Sequence, residues 1–146
     1  MIIISPYAKP LRNGGNNPKN YPYWKELIAL IGDDEPIVQV GTKGEVQLVE
    51  DFRTDLSMIR LNDLVASARI WVSVDSFFQH FCWDIGKPGI VLWGQSDPII
   101  FGHPENTNLI KDRAFLRQNQ FLWWEDELYM KEAFVLPEVV LKEINN

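Results

Sequence analysis

The chain has 146 residues, the length of one domain and too short for two full ones. Hydrophobic residues make up 46% and charged residues 23%, which excludes a disordered, collagenous or coiled-coil chain. Asp and Glu outnumber Lys and Arg by 20 to 14, a net charge of −6, so the cationic excess that a nucleic-acid backbone demands is missing and no nucleic-acid partner is expected.

The one cysteine, Cys82, has no partner for an internal disulfide and lies in an apolar stretch, which reads as a small core residue in a reducing compartment. Met1 to Ser5 lacks the basic start and cleavage region of a signal peptide, and no apolar run approaches the ~18–20 residues of a membrane span. A cytoplasmic protein with no membrane span is expected.

Ile2, Ile3 and Ile4 form a β-branched run closed by Ser5 and Pro6, the pattern of a buried strand entering a loop. That loop, Tyr7 to Asn20, carries Gly14, Gly15 and four asparagines, and a loop of this length in a compact domain is usually functional or mobile. Pro22 then opens a helix on which Trp24, Leu27, Ile28 and Ile31 recur at helical spacing until Gly32 stops it. A turn over Asp33–Glu35 leads into a second strand, Pro36 to Gly41.

The mixed segment Glu45 to Asp55 predicts a short helix over Val46–Glu50. Leu56 to Leu61 reads as a short strand or loop, with Asn62 capping a helix over Asp63–Ser67. Ile70 to Val74 is a third strand. Asp75 or Ser76 caps the helix that follows, which carries Phe78, Phe81, Cys82 and Ile85 and ends at Gly86. Lys87-Pro88-Gly89 turns the chain into a fourth strand, Ile90 to Trp93. In the tail, Asn108–Ile110 reads as a strand, Phe121–Trp124 is aromatic and ambiguous, and Pro137–Ile144 is a closing helix.

Short apolar strands alternating with helices of about ten residues are the pattern of a parallel sheet covered on both faces. The fold class is α/β, Rossmann-like, in one domain spanning residues 1–146. In such sheets ligands bind beyond the carboxyl ends of the strands, where helix starts aim free amides outward. Sorted by that rule, the first strand is followed by Ser5, Tyr7, Lys9 and Lys19, the second by Gly41, Thr42 and Glu45, the third by Asp75, Ser76 and His80, and the fourth by Gly94, Gln95, Ser96 and Asp97.

Hydroxyls, lysines, glycines and acids at one edge suit an anionic ligand with phosphates and a sugar, although loop ends are polar in any protein. Asp75-Ser76 is also a plain N-cap, and a capped helix start can still offer its next amides to a phosphate. His80 lies one turn beyond Ser76. Trp123 and Trp124 read as core or interface residues. No His/Cys/Asp cluster has metal-ligand spacing, and neither a Gly-Lys-Ser/Thr phosphate loop nor a Gly-x-Ser-x-Gly elbow occurs.

The stretch Ala68 to Pro98, ARIWVSVDSFFQHFCWDIGKPGIVLWGQSDP, resembles the nucleotide-sugar-binding half of heptosyltransferase-like enzymes, glycosyltransferase family 9. Asp75, Ser76 and His80 match that family's Asp-Thr-Gly-x-x-His. Gly86 and Pro88 match its Gly-x-Pro, and Gly94, Ser96, Asp97 and Pro98 match its Phe-Gly-x-Thr/Ser-Asp-Pro. Asn17 to Pro22 is similar to its Lys-x-Trp-Pro segment, and Gly41 to Glu45 to its Gly-rich turn ending in glutamate. The resemblance runs from about Ile2 to Pro104. Phe77 stands where the family has glycine.

The resemblance implies the carboxyl-terminal domain of a GT-B enzyme whose donor is an ADP-sugar or another nucleotide-diphospho-sugar, with no further cofactor. By the same resemblance Lys19, Ser76 and the amide of Phe77 contact the diphosphate, Glu45 the ribose, and Met58 or its neighbours the base. Asp75 and His80 shape the sugar-phosphate side and are the catalytic candidates, while Ser5, Lys9 and Gly41 complete the expected binding set. The acceptor would come from a partner chain or a second copy. The alternative is a non-catalytic nucleotide-binding or assembly module that retains the fold.

Overall fold

A computed structural model describes residues 1–146. In chain order the elements are β1 (Ile2–Ser5), α1 (Trp24–Ile31), β2 (Ile37–Gly41), β3 (Asp51–Thr54), α2 (Met58–Ser67), β4 (Ile70–Val74), α3 (Phe77–Asp84), β5 (Ile90–Trp93), α4 (Pro98–Phe101), β6 (Thr107–Ile110) and α5 (Pro137–Ile144). The strands form one six-stranded sheet in the order β3-β2-β1-β4-β5-β6. Every neighbouring pair is parallel.

The alternation of side chains along each strand sends successive residues to opposite faces. On one face Ile2 and Ile4 of β1 join Val72, Val74, Ile90 and Leu92 and pack against Trp24, Leu27 and Ile31 of α1 and Val140 and Ile144 of α5. On the other, Ile3 joins Val38, Val40, Trp71 and Val91 beneath Leu61, Leu64 and Val65 of α2 and Phe78 and Cys82 of α3. Burial on both faces accounts for the uninterrupted apolar runs and gives the expected Rossmann-like sheet. Cys82 is fully buried, and burial pushes its thiol up to about 12, so it packs as a small apolar group.

Three local expectations fail, each for a definable reason. Val46–Glu50 forms no helix. The buried Gln39 side chain of β2 takes over its backbone polar groups, donating to the Val46 carbonyl at 3.0 Å and accepting from the Leu48 amide at 2.7 Å. The following residues then run alongside β2 as the edge strand β3, polar and half-exposed, with Asp51 paired to Arg53.

Leu56–Leu61 is likewise neither strand nor loop throughout, because α2 begins at Met58. Its cap is Ser57, whose hydroxyl accepts from the Arg60 amide at 3.3 Å, so Asn62 lies inside the helix and caps nothing. Ser76 occupies the cap position of α3 but makes no side-chain cap bond; its Oγ lies 3.3 Å from Ser73 Oγ instead. Asp75 spends one carboxylate oxygen on the Gln79 amide, at 2.9 Å.

The tail after β6 returns across the carboxyl edge through three single-turn 3₁₀ helices. Arg117, buried, anchors it by donating to the carbonyls of Gln120 and Leu122 while its guanidinium lies 3.4 Å from the centre of the Trp124 ring. Trp123 is exposed under the Arg12 guanidinium rather than buried in a core.

At the opposite, amino edge of the sheet, Glu35 accepts two hydrogen bonds from Arg69, which also donates to the Ile144 carbonyl at 2.9 Å. The Arg69 bonds hold the Glu35 carboxyl at about 2. A depressed carboxyl contributes stability above its ordinary range, and the contribution disappears as pH falls through the depressed value. Glu35→Gln is therefore expected to cost up to ~1 kcal/mol in denaturant unfolding at pH 7, with the gap to wild type closing as pH approaches 2.

A methyl group on Gly94 would collide with the fully buried Phe134 ring. Gly94→Ala is expected to destabilise by ~1–3 kcal/mol, read from the same unfolding curves.

Candidate functional site

The sheet order reverses between β1 and β4: the chain leaves β1 toward β2 and leaves β4 toward β5. The two departing segments diverge and leave a crevice at the carboxyl edge. A pocket of about 400 Å³ lies there, and each of four strands contributes to it. Ser5, Tyr7 and Lys9 come from the end of β1, Gly41, Thr42 and Glu45 from β2, Arg53, Asp55 and Leu56 from β3, and Ser76, Phe77 and Phe78 from the turn into α3.

The long first loop is ordered by its own asparagines. Buried Asn17 donates to the Lys9 carbonyl at 2.9 Å and accepts from the Lys19 amide at 3.0 Å, and Asn20 accepts from the Ala8 amide at 2.8 Å. One side chain thus sets the backbone of both lysines. Lys9 lines the pocket, whereas the Lys19 ammonium lies 3.7 Å from Asp75, next to Ser76 in the chain. Lys19 and the start of α3 are therefore on the same side of the molecule.

At the α3 start, the missing Ser76 cap bond leaves first-turn amides without that partner, and the helix dipole adds positive potential there. Phe77 forms part of the wall but leaves the hollow open; the residue is 60% exposed.

Glu45 folds back over Gly41, and any side chain on Gly41 would collide with its carboxylate. One Glu45 oxygen accepts from the Thr42 hydroxyl at 3.2 Å, while the other is buried with no partner. Burial raises this carboxyl above its usual range, the Thr42 hydrogen bonds oppose the rise and the Asp55 charge adds to it. Burial, and then the Glu45 charge, raise the Tyr7 phenol, which keeps it a neutral hydroxyl in the same wall.

Met58 and His80 lie elsewhere. Both face a second hollow of about 580 Å³ on the far side of Phe77, with Phe81, Trp83 and His103. His80 Nδ1 is 2.8 Å from His103 Nε2, and the Trp83 ring stacks on His103 at 4.5 Å. Burial and the neighbouring His103 lower the His80 pKa, Asp75 opposes this, and Lys19 reinforces it. Asp75 is held between Lys19 and Gln79.

The residues after β5 do not join the crevice. Asp97 is paired with Arg113 at 2.8 Å and caps α4 through the Ile99 amide, and Gln95 donates to the Leu128 carbonyl under the tail.

Arg53, Asp55 and Leu56 are pocket residues that the sequence reading missed. The available signal was the alternation of charged Asp51, Arg53 and Asp55 with half-buried Phe52, Thr54 and Leu56, a polar edge strand rather than an apolar one.

No family model matches the chain. Lipopolysaccharide heptosyltransferase 1 of Salmonella typhimurium is 28% identical over 68% of this chain and 36% of that protein. The chain is similar to heptosyltransferases. Among solved structures, E. coli heptosyltransferase WaaC with ADP superposes with a TM-score of 0.67 at 18% identity, covering 99% of this chain and 43% of that one. E. coli ADP-heptose heptosyltransferase II gives 0.65 at 19% identity, over 99% and 45%. The dodecameric iron-containing heptosyltransferase TibC with ADP-D-β-D-heptose gives 0.64 at 13% identity, over 99% and 45%. The heptosyltransferase-like chain spans less than half the length of these relatives.

Glu45 in this crevice is open to direct measurement. Its ionisation opposes folding, so the stability it contributes is complete below the ordinary carboxylate range and is lost as pH rises through the raised value. Carbon-13 NMR of the side-chain carboxyls should place Glu45 above the other surface glutamates. Thr42→Val should push it higher still by removing the hydroxyl donor, whereas an unmoved titration would contradict the assigned hydrogen bond.

Proposed function

We propose that the crevice binds a nucleotide-diphospho-sugar and that the chain is the donor-binding half of a GT-B glycosyltransferase. The observation that carries this reading is the pairing of two unsatisfied polar features in one pocket. The partnerless Glu45 oxygen seeks hydroxyl donors, and the uncapped start of α3 seeks an anion. A ribose diphosphate supplies both. ADP is the favoured nucleotide, because two of the similar structures are described with ADP or an ADP-linked heptose.

In this reading the diphosphate lies against Ser76 and the Phe77 amide, with Lys9 beside it and Lys19 next to Asp75. Ser5 lines the crevice at the end of β1, Gly41 leaves the room that Glu45 occupies, and Glu45 accepts from the ribose hydroxyls. The acceptor hydroxyl attacks the anomeric carbon, the bond from that carbon to the diphosphate oxygen breaks, and the acceptor proton passes to a base outside these residues.

The chain's own contribution is to position the donor and to oppose the negative charge that grows on the departing diphosphate, through the lysines and the α3 dipole. The acceptor site lies outside these 146 residues. Asp75, held by Lys19 and Gln79 next to Ser76, serves as a positioning residue at the sugar-phosphate side, whereas His80 faces the neighbouring hollow with His103 and takes no part in holding the diphosphate.

Phe77 favours the second reading, a nucleotide-binding module without transfer, since a bulky side chain stands where the family pattern has glycine. Calorimetry with ADP-, UDP- and GDP-linked sugars tests the site itself: micromolar to sub-millimolar binding of one of them is expected, and silence at millimolar concentration overturns both readings. Lys9 is exposed and takes part in no ion pair. Lys9→Ala should therefore weaken ADP binding about tenfold or more while shifting stability by no more than ~0.5 kcal/mol.

A further inference from the structure

We infer that Asp55 reads the base of the bound nucleotide by accepting a hydrogen bond from an amino group on the base edge, the 6-amino group of adenine for the donor proposed above. The inference rests on that nucleotide reading and extends it to a residue outside the family motifs. Its basis is the position of Asp55 in the sheet.

The anion-seeking features lie at the ends of β1 and β4, Glu45 lies at the end of β2, and the next strand outward is β3. Neighbouring strands are ~4.8 Å apart. A nucleotide laid along this edge with its phosphates at α3 and its ribose at Glu45 therefore places the base over the end of β3. Leu56 and Leu61 line the pocket there and offer apolar surface to a ring face. Asp55 is the acidic group beside them.

Two observations mark Asp55 as an acceptor awaiting a donor. Its carboxylate has no ion-pair partner, and Arg53, two residues earlier, is committed to Asp51 through bonds of 3.0 and 3.1 Å. Its backbone has φ of +52°, the one positive value outside glycine, fixed by an amide bond to the Gly41 carbonyl at 3.0 Å. A non-glycine residue held in the left-handed region on a pocket wall costs conformational energy, and such outliers cluster at binding sites. The turn places the carboxylate in the pocket wall beside Leu56.

An ionised carboxylate can only accept. It favours a base edge bearing an amino donor and repels one bearing a carbonyl at the same place, and a site built around such a bond rejects the analogue lacking the donor. ADP and IDP differ in this feature, 6-amino against 6-oxo.

Calorimetry on the full chain should show ADP binding at least ~10-fold tighter than IDP. Asp55→Asn keeps the size and tolerates the left-handed backbone as well as Asp does, and its amide can donate to the 6-oxo group. In that variant the ADP to IDP ratio should fall toward one, mainly through lost ADP affinity, at an unchanged melting temperature. Equal binding of ADP and IDP by the wild type, or an unchanged ratio in Asp55→Asn, overturns the role of Asp55 while leaving the nucleotide site standing. Failure of both diphosphates to bind overturns the two together.

Discussion

The reversal of strand order between β1 and β4 is the constraint from which the functional edge follows. Because the chain turns one way after β1 and the other way after β4, no helix can cover the carboxyl end of that junction. The loops must line a hollow instead of closing it. The residues found there are those that such a hollow needs: amides at a helix start, Lys9, whose carbonyl is held by Asn17, and a carboxylate resting on a glycine, with Lys19 close by at Asp75. Substituting Gly41 would displace Glu45, so the shape of the pocket and the charge within it depend on the same missing side chain.

Away from the crevice, polar side chains tie distant parts of the chain together. Gln39 settles the segment between β2 and β3, Arg117 ties down the tail, and Arg69 joins Glu35 to the end of α5. In the crevice the buried Glu45 oxygen has no partner, and the exposed Asp55 carboxylate lines the same pocket without an ion pair. A buried oxygen left without a donor costs stability, and one that lines a cavity is placed to accept from a ligand.

Much of this was legible in the sequence because burial on both faces writes strands as apolar runs. Ile2–Ile4, Ile70–Val74 and Ile90–Trp93 stand out for that reason, and the helix ending at Gly32 shows both its periodicity and its stop. The edge strand β3 was not legible, since one exposed edge and alternating charges remove the apolar signal. The bonds from Gln39 that displaced the expected helix over Val46–Glu50 are tertiary and leave no local trace. Sorting residues by strand end gathered Ser5, Tyr7, Lys9, Gly41, Thr42, Glu45 and Ser76, which line one pocket. It could not separate His80, which lies in the neighbouring hollow beyond Phe77 together with Met58, the residue the family resemblance had assigned to the base, or foresee that Asp97 turns to Arg113.

The most direct test is a crystal structure of the chain grown with ADP. The account predicts the diphosphate within hydrogen-bond distance of the Phe77 amide and the ribose hydroxyls on Glu45. ADP lodged in the hollow beside His80 and His103, with the crevice between β1 and β4 empty, would contradict it.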